Sequence, residues 1–147
     1  ANGWTAGHIG AMWAHYMLSP KWTANYPAAS EPAAYNLSSV MKVAVIMTDG
    51  EFNTQYNHGI MDRYLSNAQS SPNGSSAEQM AEVCTAMKAD GITVYTVGFE
   101  LNVASATEML QDCASEPAKA FLADNGEELM AAFQNIGFQI AQLRLTR

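Results

Sequence analysis

The sequence predicts an α/β domain: a parallel, doubly wound sheet in three αβα layers. Three observations carry this. Short apolar runs at 43–47, 93–97 and 120–123 read as strands, and the first is unbroken, as in a strand covered on both faces. Segments with helical periodicity separate these runs. The resulting order, helix and strand in strict alternation, implies right-handed crossovers with helices on both faces of a parallel sheet. Three strands are few for such a sheet, so one edge is expected to lack its neighbours.

Each element has its own signature. Ile9, Met12, Trp13, Tyr16 and Met17 recur at helical spacing and predict one buried face, with Thr5 suited to the helix start and Pro20 stopping it after Leu18. Residues 19–39, with Pro20, Pro27 and Pro32, read as a long surface loop anchored by Trp22, Tyr26 and Tyr35. Val43–Met47 is the first strand and runs into Thr48-Asp49-Gly50. A second polar loop follows over 51–75, with a short helix expected around Ile60–Leu65. Ser75-Ser76-Ala77-Glu78 is a capping box, followed by Met80, Val83, Cys84 and Met87 on one helical face, and Gly91 closes that helix. Thr93–Val97 is the second strand. A short helix opens at Ser105 and runs through Leu110 to Cys113, and Ala120–Ala123 is the third strand. The last helix begins at Asn125-Gly126-Glu127-Glu128 and carries Leu129, Phe133, Ile136, Ile140 and Leu143. Acids in its first turn and Arg144 and Arg147 at its end complement the helix dipole.

Composition narrows the function classes. The 147 residues suffice for one domain. Apolar residues make up 48% and charged residues 14%, which is not the composition of a disordered tail. No run approaches the roughly 20 apolar residues that a membrane-spanning helix needs. Seven Lys/Arg against fourteen Asp/Glu give a net charge of −7. Without a basic cluster, nucleic acid is disfavoured as a partner. The first residues, Ala-Asn-Gly-Trp-Thr, carry no targeting signal and read as a loop within a larger unit. Two cysteines, by count alone, leave the redox compartment open.

Ligands of open parallel sheets sit beyond the carboxyl ends of the strands. Asp49 stands there on the first strand, where it suits a hard cation or closes a turn with Gly50. Thr5, at a helix start, is the second candidate, and a plain helix cap is its other reading. His8, His15 and His58 lack metal-site spacing; His8 is the one nearest Thr5. Glu51, Asp62, Glu100 and Asp124 lie at or after strand ends, where they could reach a cation, although solvated loop acids are the commoner outcome. The nine methionines mostly fall on helical core stripes. No Gly-x-Gly-x-x-Gly, phosphate loop or Gly-x-Ser-x-Gly elbow is present, so nucleotide binding and serine hydrolysis lack their usual signals.

A Thr in a Gly-containing turn opening a helix, then a long loop and an apolar strand ending Thr48-Asp49-Gly50, resembles the von Willebrand factor A domain. That resemblance implies a Rossmann-like, doubly wound sheet with a divalent cation at its top. In the family the cation takes an Asp-x-Ser-x-Ser from the first strand, a Thr from a later loop and an Asp from the fourth strand. Thr5 matches the loop Thr and Asp49 the last Asp, while Asp-x-Ser-x-Ser is absent. The chain then resembles the C-terminal portion of such a domain, its N-terminal strands lacking. The run from Cys84 to Phe99, Leu110-Gln111-Asp112-Cys113-Ala114-Ser115, and the Arg144-Leu145-Thr146-Arg147 ending further resemble TadG-type Tad/Flp pilus-assembly proteins over residues 1–18 and 40–147.

That resemblance implies an extracytoplasmic (periplasmic or cell-surface) location in a Gram-negative bacterium, anchored through a segment outside this sequence. It raises the expectation of a Cys84–Cys113 disulfide. It implies a non-enzymatic binding or scaffolding module in pilus assembly or adhesion. A Mg²⁺ ion, or Mn²⁺ or Ca²⁺, would be held partly by Thr5 and Asp49, with His8, Glu51 and Glu100 nearby. Two oxygen donors are too few for Mg²⁺, so weak binding is expected. The partner would be a pilus-assembly component or adhesion ligand. The upstream half of the same domain, or another chain, would cover the sheet edge beside Val43–Met47. The alternatives are a metal-assisted hydrolase using Asp49 and a structural domain without a working metal site.

Overall fold

The computed structural model describes residues 5–56, 63–65 and 73–145. Three parallel strands form the main sheet in the order β1 (Val43–Thr48), β4 (Thr93–Phe99), β5 (Ala120–Ala123), with Val43 opposite Thr93 and Thr96 opposite Ala120. The expected alternation and three-layer αβα architecture are both present. α1 (Gly7–Leu18), α2 (Ser76–Ala89) and α3 (Ala104–Cys113) pack on one face, and α4 (Gly126–Leu145) packs on the other against β4 and β5.

The 51–75 segment departs from expectation. β2 (Thr54–Tyr56) and β3 (Arg63–Leu65) pair antiparallel, where a short helix was expected around 60–65. Cross-strand pairing of 63–65 with 54–56 outweighs a helical turn too short to sustain itself. Residues 57–62, with His58 and Asp62, lie outside the described residues.

Helix ends follow their chemistry. On α2 the Ser75 side chain accepts the Glu78 amide while Glu78 accepts the Ser75 amide, completing the capping box. Gly91 follows the helix at φ +74°, a backbone that a side chain would strain. On α4, Asn125 accepts the Glu128 amide at 3.0 Å, and the Glu128 carboxylate returns to Asn125 and to the Asp124 amide.

The period-2 geometry of the strands divides the core in two. Ala44, Ile46 and Val94 face α1–α3 with Met80, Cys84, Met87 and Cys113. Tyr95 and Val97 face α4 and meet Ile136, with Val43, Phe121, Leu129 and Ile140 around them. Cys84 and Cys113 form the expected disulfide, joining α2 to the end of α3 with Cα atoms 5.1 Å apart. Each is 1% exposed.

Three burial expectations need correction. The unbroken apolar run of β1 predicted cover on both faces, yet Val45 and Met47 are 43% and 46% exposed. They share the α4 side of the sheet with Val43, and α4 covers β4 and β5 instead. On α1 the predicted face is buried only in part: Trp13 and Met17 are exposed, Ile9, Met12 and Tyr16 are half-buried, and the buried residues are His8 and Ala11. Ala14 and Leu18 join Ala11 against the core, because a small-residue face lets α1 approach α2 closely. Trp13, Tyr16 and Trp22 instead pack on one another, with the Tyr16 and Trp22 rings stacked at 4.3 Å. On α4, Met130 and Phe133 are exposed too, so helical spacing overstated the methionine and Phe133 contribution to the core.

At the N-terminal end of the sheet, the Pro-rich segment that follows α1 is held by one buried cation. The Lys42 ammonium donates to the Leu18 and Ala33 carbonyls and lies 4.8 Å from the centre of the Tyr35 ring. Burial pushes its pKa down. Short 3-10 turns at Pro20–Asn25 and Ala28–Ser30 give this segment local order.

Candidate functional site

Thr5 and Asp49 come to the same end of the sheet, the C-terminal end of β1. Two residues before α1, Thr5 receives the Asn53 and Thr54 amides on its carbonyl at 3.0 and 3.2 Å. Its own amide donates to the Asn53 side chain at 2.8 Å. This stitch uses backbone groups and leaves the Thr5 hydroxyl uncommitted to capping. The N-cap position of α1 belongs to Ala6 and has no side-chain hydrogen bond, which corrects the reading of Thr5 as a cap.

Asp49 follows β1 directly and is exposed. The turn beneath it is closed by Thr48, whose hydroxyl donates to the Gly50 carbonyl at 3.0 Å and accepts the Gly50 amide at 3.3 Å. Thr5 and Thr48 line one cavity of about 270 Å³, with Phe52 beside them. Phe52 sits over Gly7: a Cβ on Gly7 would run into its ring, so the close approach requires glycine there.

The other candidates take different places. His8 is buried, and its Nδ1 is 2.8 Å from the Ser76 hydroxyl at the start of α2. Burial lowers the His8 pKa. Glu51 accepts the Ser105 hydroxyl at 3.2 Å, which ties the β1 loop to α3. Glu100 is exposed at φ +50°, its amide donating to the Ala123 carbonyl at 2.8 Å. Asp124 is exposed before α4. His15 pairs with Asp90 at 2.8 Å, at the opposite end of α1 from His8.

Among the described residues, no group of three or more His, Cys, Asp and Glu is placed to hold a metal ion. Thr5 and Asp49 supply two oxygen types suited to a hard cation, but the described residues do not complete a six-oxygen shell. Sequence reasoning missed Asn53, which positions Thr5, and Phe52, which shields Gly7. An aromatic residue amid the polar loop after Asp49 was the available signal for Phe52.

No helix among the described residues is long and apolar enough to cross a membrane. No protein-family profile matches the chain, and no curated protein matches it in sequence. Among solved structures, the pilus adhesin SpaC from Lactobacillus rhamnosus GG matches with a TM-score of 0.59 at 17% identity. The match covers 94% of this chain and 19% of SpaC, so the chain corresponds to a small part of that protein. At this identity the likeness concerns the fold alone.

Proposed function

We propose that the chain is the C-terminal portion of an extracytoplasmic von Willebrand A-like module of the TadG type, which binds or scaffolds proteins in Tad/Flp pilus assembly or adhesion. The observation that carries this reading is the convergence of Thr5 and Asp49 at the C-terminal end of β1, where the Thr5–Asn53 stitch holds the first beside the second's loop. The fold shared with a pilus adhesin and the buried disulfide support it. Disulfides persist outside the cytoplasm, which favours an extracytoplasmic location; the periplasm or cell surface of a Gram-negative bacterium is what the TadG resemblance adds.

In this reading a divalent cation, Mg²⁺ or its Mn²⁺ or Ca²⁺ substitutes, takes the Thr5 hydroxyl and the Asp49 carboxylate as two of its oxygen ligands. The cation would present an open position to an acidic group of a protein partner. Thr5 and Asp49 orient it, and Glu51 and Glu100 add negative potential from neighbouring loops. The remaining ligands come from outside the described residues, so the chain alone holds the ion weakly.

Titration with Mn²⁺, followed by calorimetry, tests the site. Weak binding that is abolished by Asp49→Ala and reduced by Thr5→Val is expected. Binding that neither substitution changes would sink the cation reading. Loss of pilus-dependent attachment in cells carrying Asp49→Ala, at unchanged protein level, tests the wider function; unimpaired attachment would overturn it.

A further inference from the structure

α4 buries one face and presents an apolar stripe on the opposite one. Ala132 and Ile136 are buried, Ile136 against Tyr95 and Val97 of β4. On the outward side stand Met130 and Phe138, 63% and 68% exposed, the two most exposed large apolar side chains among the described residues. They flank Gln134, four positions from each. With 3.6 residues per turn, Gln134 lies about 200° around the helix from Ile136, so the stripe points away from the sheet. Exposed apolar surface of this kind marks an interaction site.

The order of residues along the stripe says what it meets. A two-fold interface is self-complementary: where residue i meets residue j of the partner, j meets i. Reversing α4 end for end about Gln134 gives such a match. Met130 falls opposite the partner's Phe138, and Phe138 opposite the partner's Met130. Ala131 falls opposite the partner's Gly137, and the space a Gly137 Cβ would enter is empty to 4 Å. Two small residues there let the helix axes close to about 8 Å. Gln134 meets its own copy, and a side-chain amide carries both a donor and an acceptor for that contact.

Charge follows the same rule. Asp124 and Glu127 are exposed at the start of α4, and its last turn holds Arg144, the only basic residue of the helix. Reversal brings the acidic end of one helix to the basic end of the other, and it sets the two helix dipoles antiparallel. A parallel pairing would bring like charges together at both ends.

We propose that two copies of this chain associate through the outer faces of α4, antiparallel about a two-fold axis at Gln134. The contact uses the side of α4 turned away from the sheet. It is therefore independent of the β1 edge and of the cation site, and it stands if either of those readings fails.

Sedimentation and thiol cross-linking of the 147-residue chain test it. Two chains of net charge −7 repel at long range, so the measurement belongs at about 0.15 M salt, where screening acts over ~8 Å. One helix pair is a small interface, and a monomer–dimer equilibrium is expected between about 1 μM and about 1 mM. Phe138→Gln, at an exposed position, should leave thermal unfolding unchanged and raise the dissociation constant on the order of tenfold. Both native cysteines are bridged, so an added cysteine is the single free thiol. Gln134→Cys, on the axis, should form a linked dimer under mild oxidation. Met130→Cys should not, because its two copies stand eight positions apart, about 12 Å along the helices. A chain that stays monomeric throughout would overturn the proposal. So would a dimer that Phe138→Gln leaves unchanged, since another surface would then hold it. Linking of Met130→Cys as readily as Gln134→Cys would exclude the antiparallel arrangement.

Discussion

β4 and β1 are neighbours in one sheet, paired residue for residue from Val43–Thr93 to Thr48–Gly98. Their fates differ. Val94, Tyr95, Thr96 and Val97 are all buried, while Val45 and Met47 on β1 are nearly half exposed. β4 has a strand on each side, α2 and α3 on one face and α4 on the other, and the disulfide ties its flanking helices together. β1 has one partner strand, and α4 does not reach its open face. Cover on a parallel strand comes from neighbouring elements, so strands of similar composition acquire different stabilities according to their place in the sheet.

The largest break in that contrast is on the covered side. Replacing Cys84 and Cys113 by Ala opens a loop with ends 29 residues apart, which should cost about 3–4 kcal/mol. Thermal unfolding of the double variant should show the loss, and an unchanged transition would mean the bridge adds nothing to the core.

A matched pair of truncations tests the contrast directly. Val97→Ala, fully buried against α4, should cost about 2–3 kcal/mol. Val45→Ala should stay within about 0.5 kcal/mol in the 147-residue chain. Denaturant titration of both measures the difference.

Tyr95→Phe is a smaller probe of the covered side. The Tyr95 hydroxyl is buried without a hydrogen-bond partner, with the Lys119 ammonium 5.8 Å from its ring centre. Burial pushes its pKa up. Removing an unsatisfied hydroxyl should leave stability unchanged or raise it by about 1 kcal/mol. A loss comparable to Val97→Ala would show that the hydroxyl does find a partner.

The smallest effect is a pH dependence at the α1–α2 contact. Burial holds the folded-state His8 pKa below its unfolded value, so the native state resists protonation there. That stability contribution is complete above about pH 6.5 and is lost as pH falls from there toward the lower folded-state value. Asp90 behaves differently: the hydrogen bond from His15 lowers its pKa, so its contribution persists above the ordinary carboxylate range and is lost only as pH falls through the depressed value. His8→Gln should remove the upper step and leave the lower. Retention of both steps in that variant would place the upper titration elsewhere.

Much of this molecule was legible in its residues. The capping box at Ser75–Glu78, Gly91 after α2 and the Asn125–Glu128 cap are local arrangements, and their hydrogen bonds close within a few residues. β1, β4 and β5 lie where short apolar runs stood, because such runs at strand length have few other solutions. The α1 stripe misled for an equally physical reason. Periodicity shows that a helix has an apolar face, but the buried face is the one its neighbours can approach, and small residues at Ala11 and Ala14 allowed the closer fit. At the candidate site, Thr5 and Asp49 were legible as residue types at element ends. Their placement at the same end of β1 was not, since Thr5 is held there by Asn53, 48 positions away.

The amino-acid order by itself determined the main-sheet strands, the four α-helices and their alternation, the acidity and the two cysteines available for a bridge. These depend on local backbone preference, residue chemistry and short-range hydrogen bonds. Tertiary structure decided that Cys84 meets Cys113, that His8 turns to Ser76 and that the α4-side face of β1 is left open. Those outcomes depend on which long-range surfaces pack together, and packing is settled by the volumes and positions of neighbouring elements.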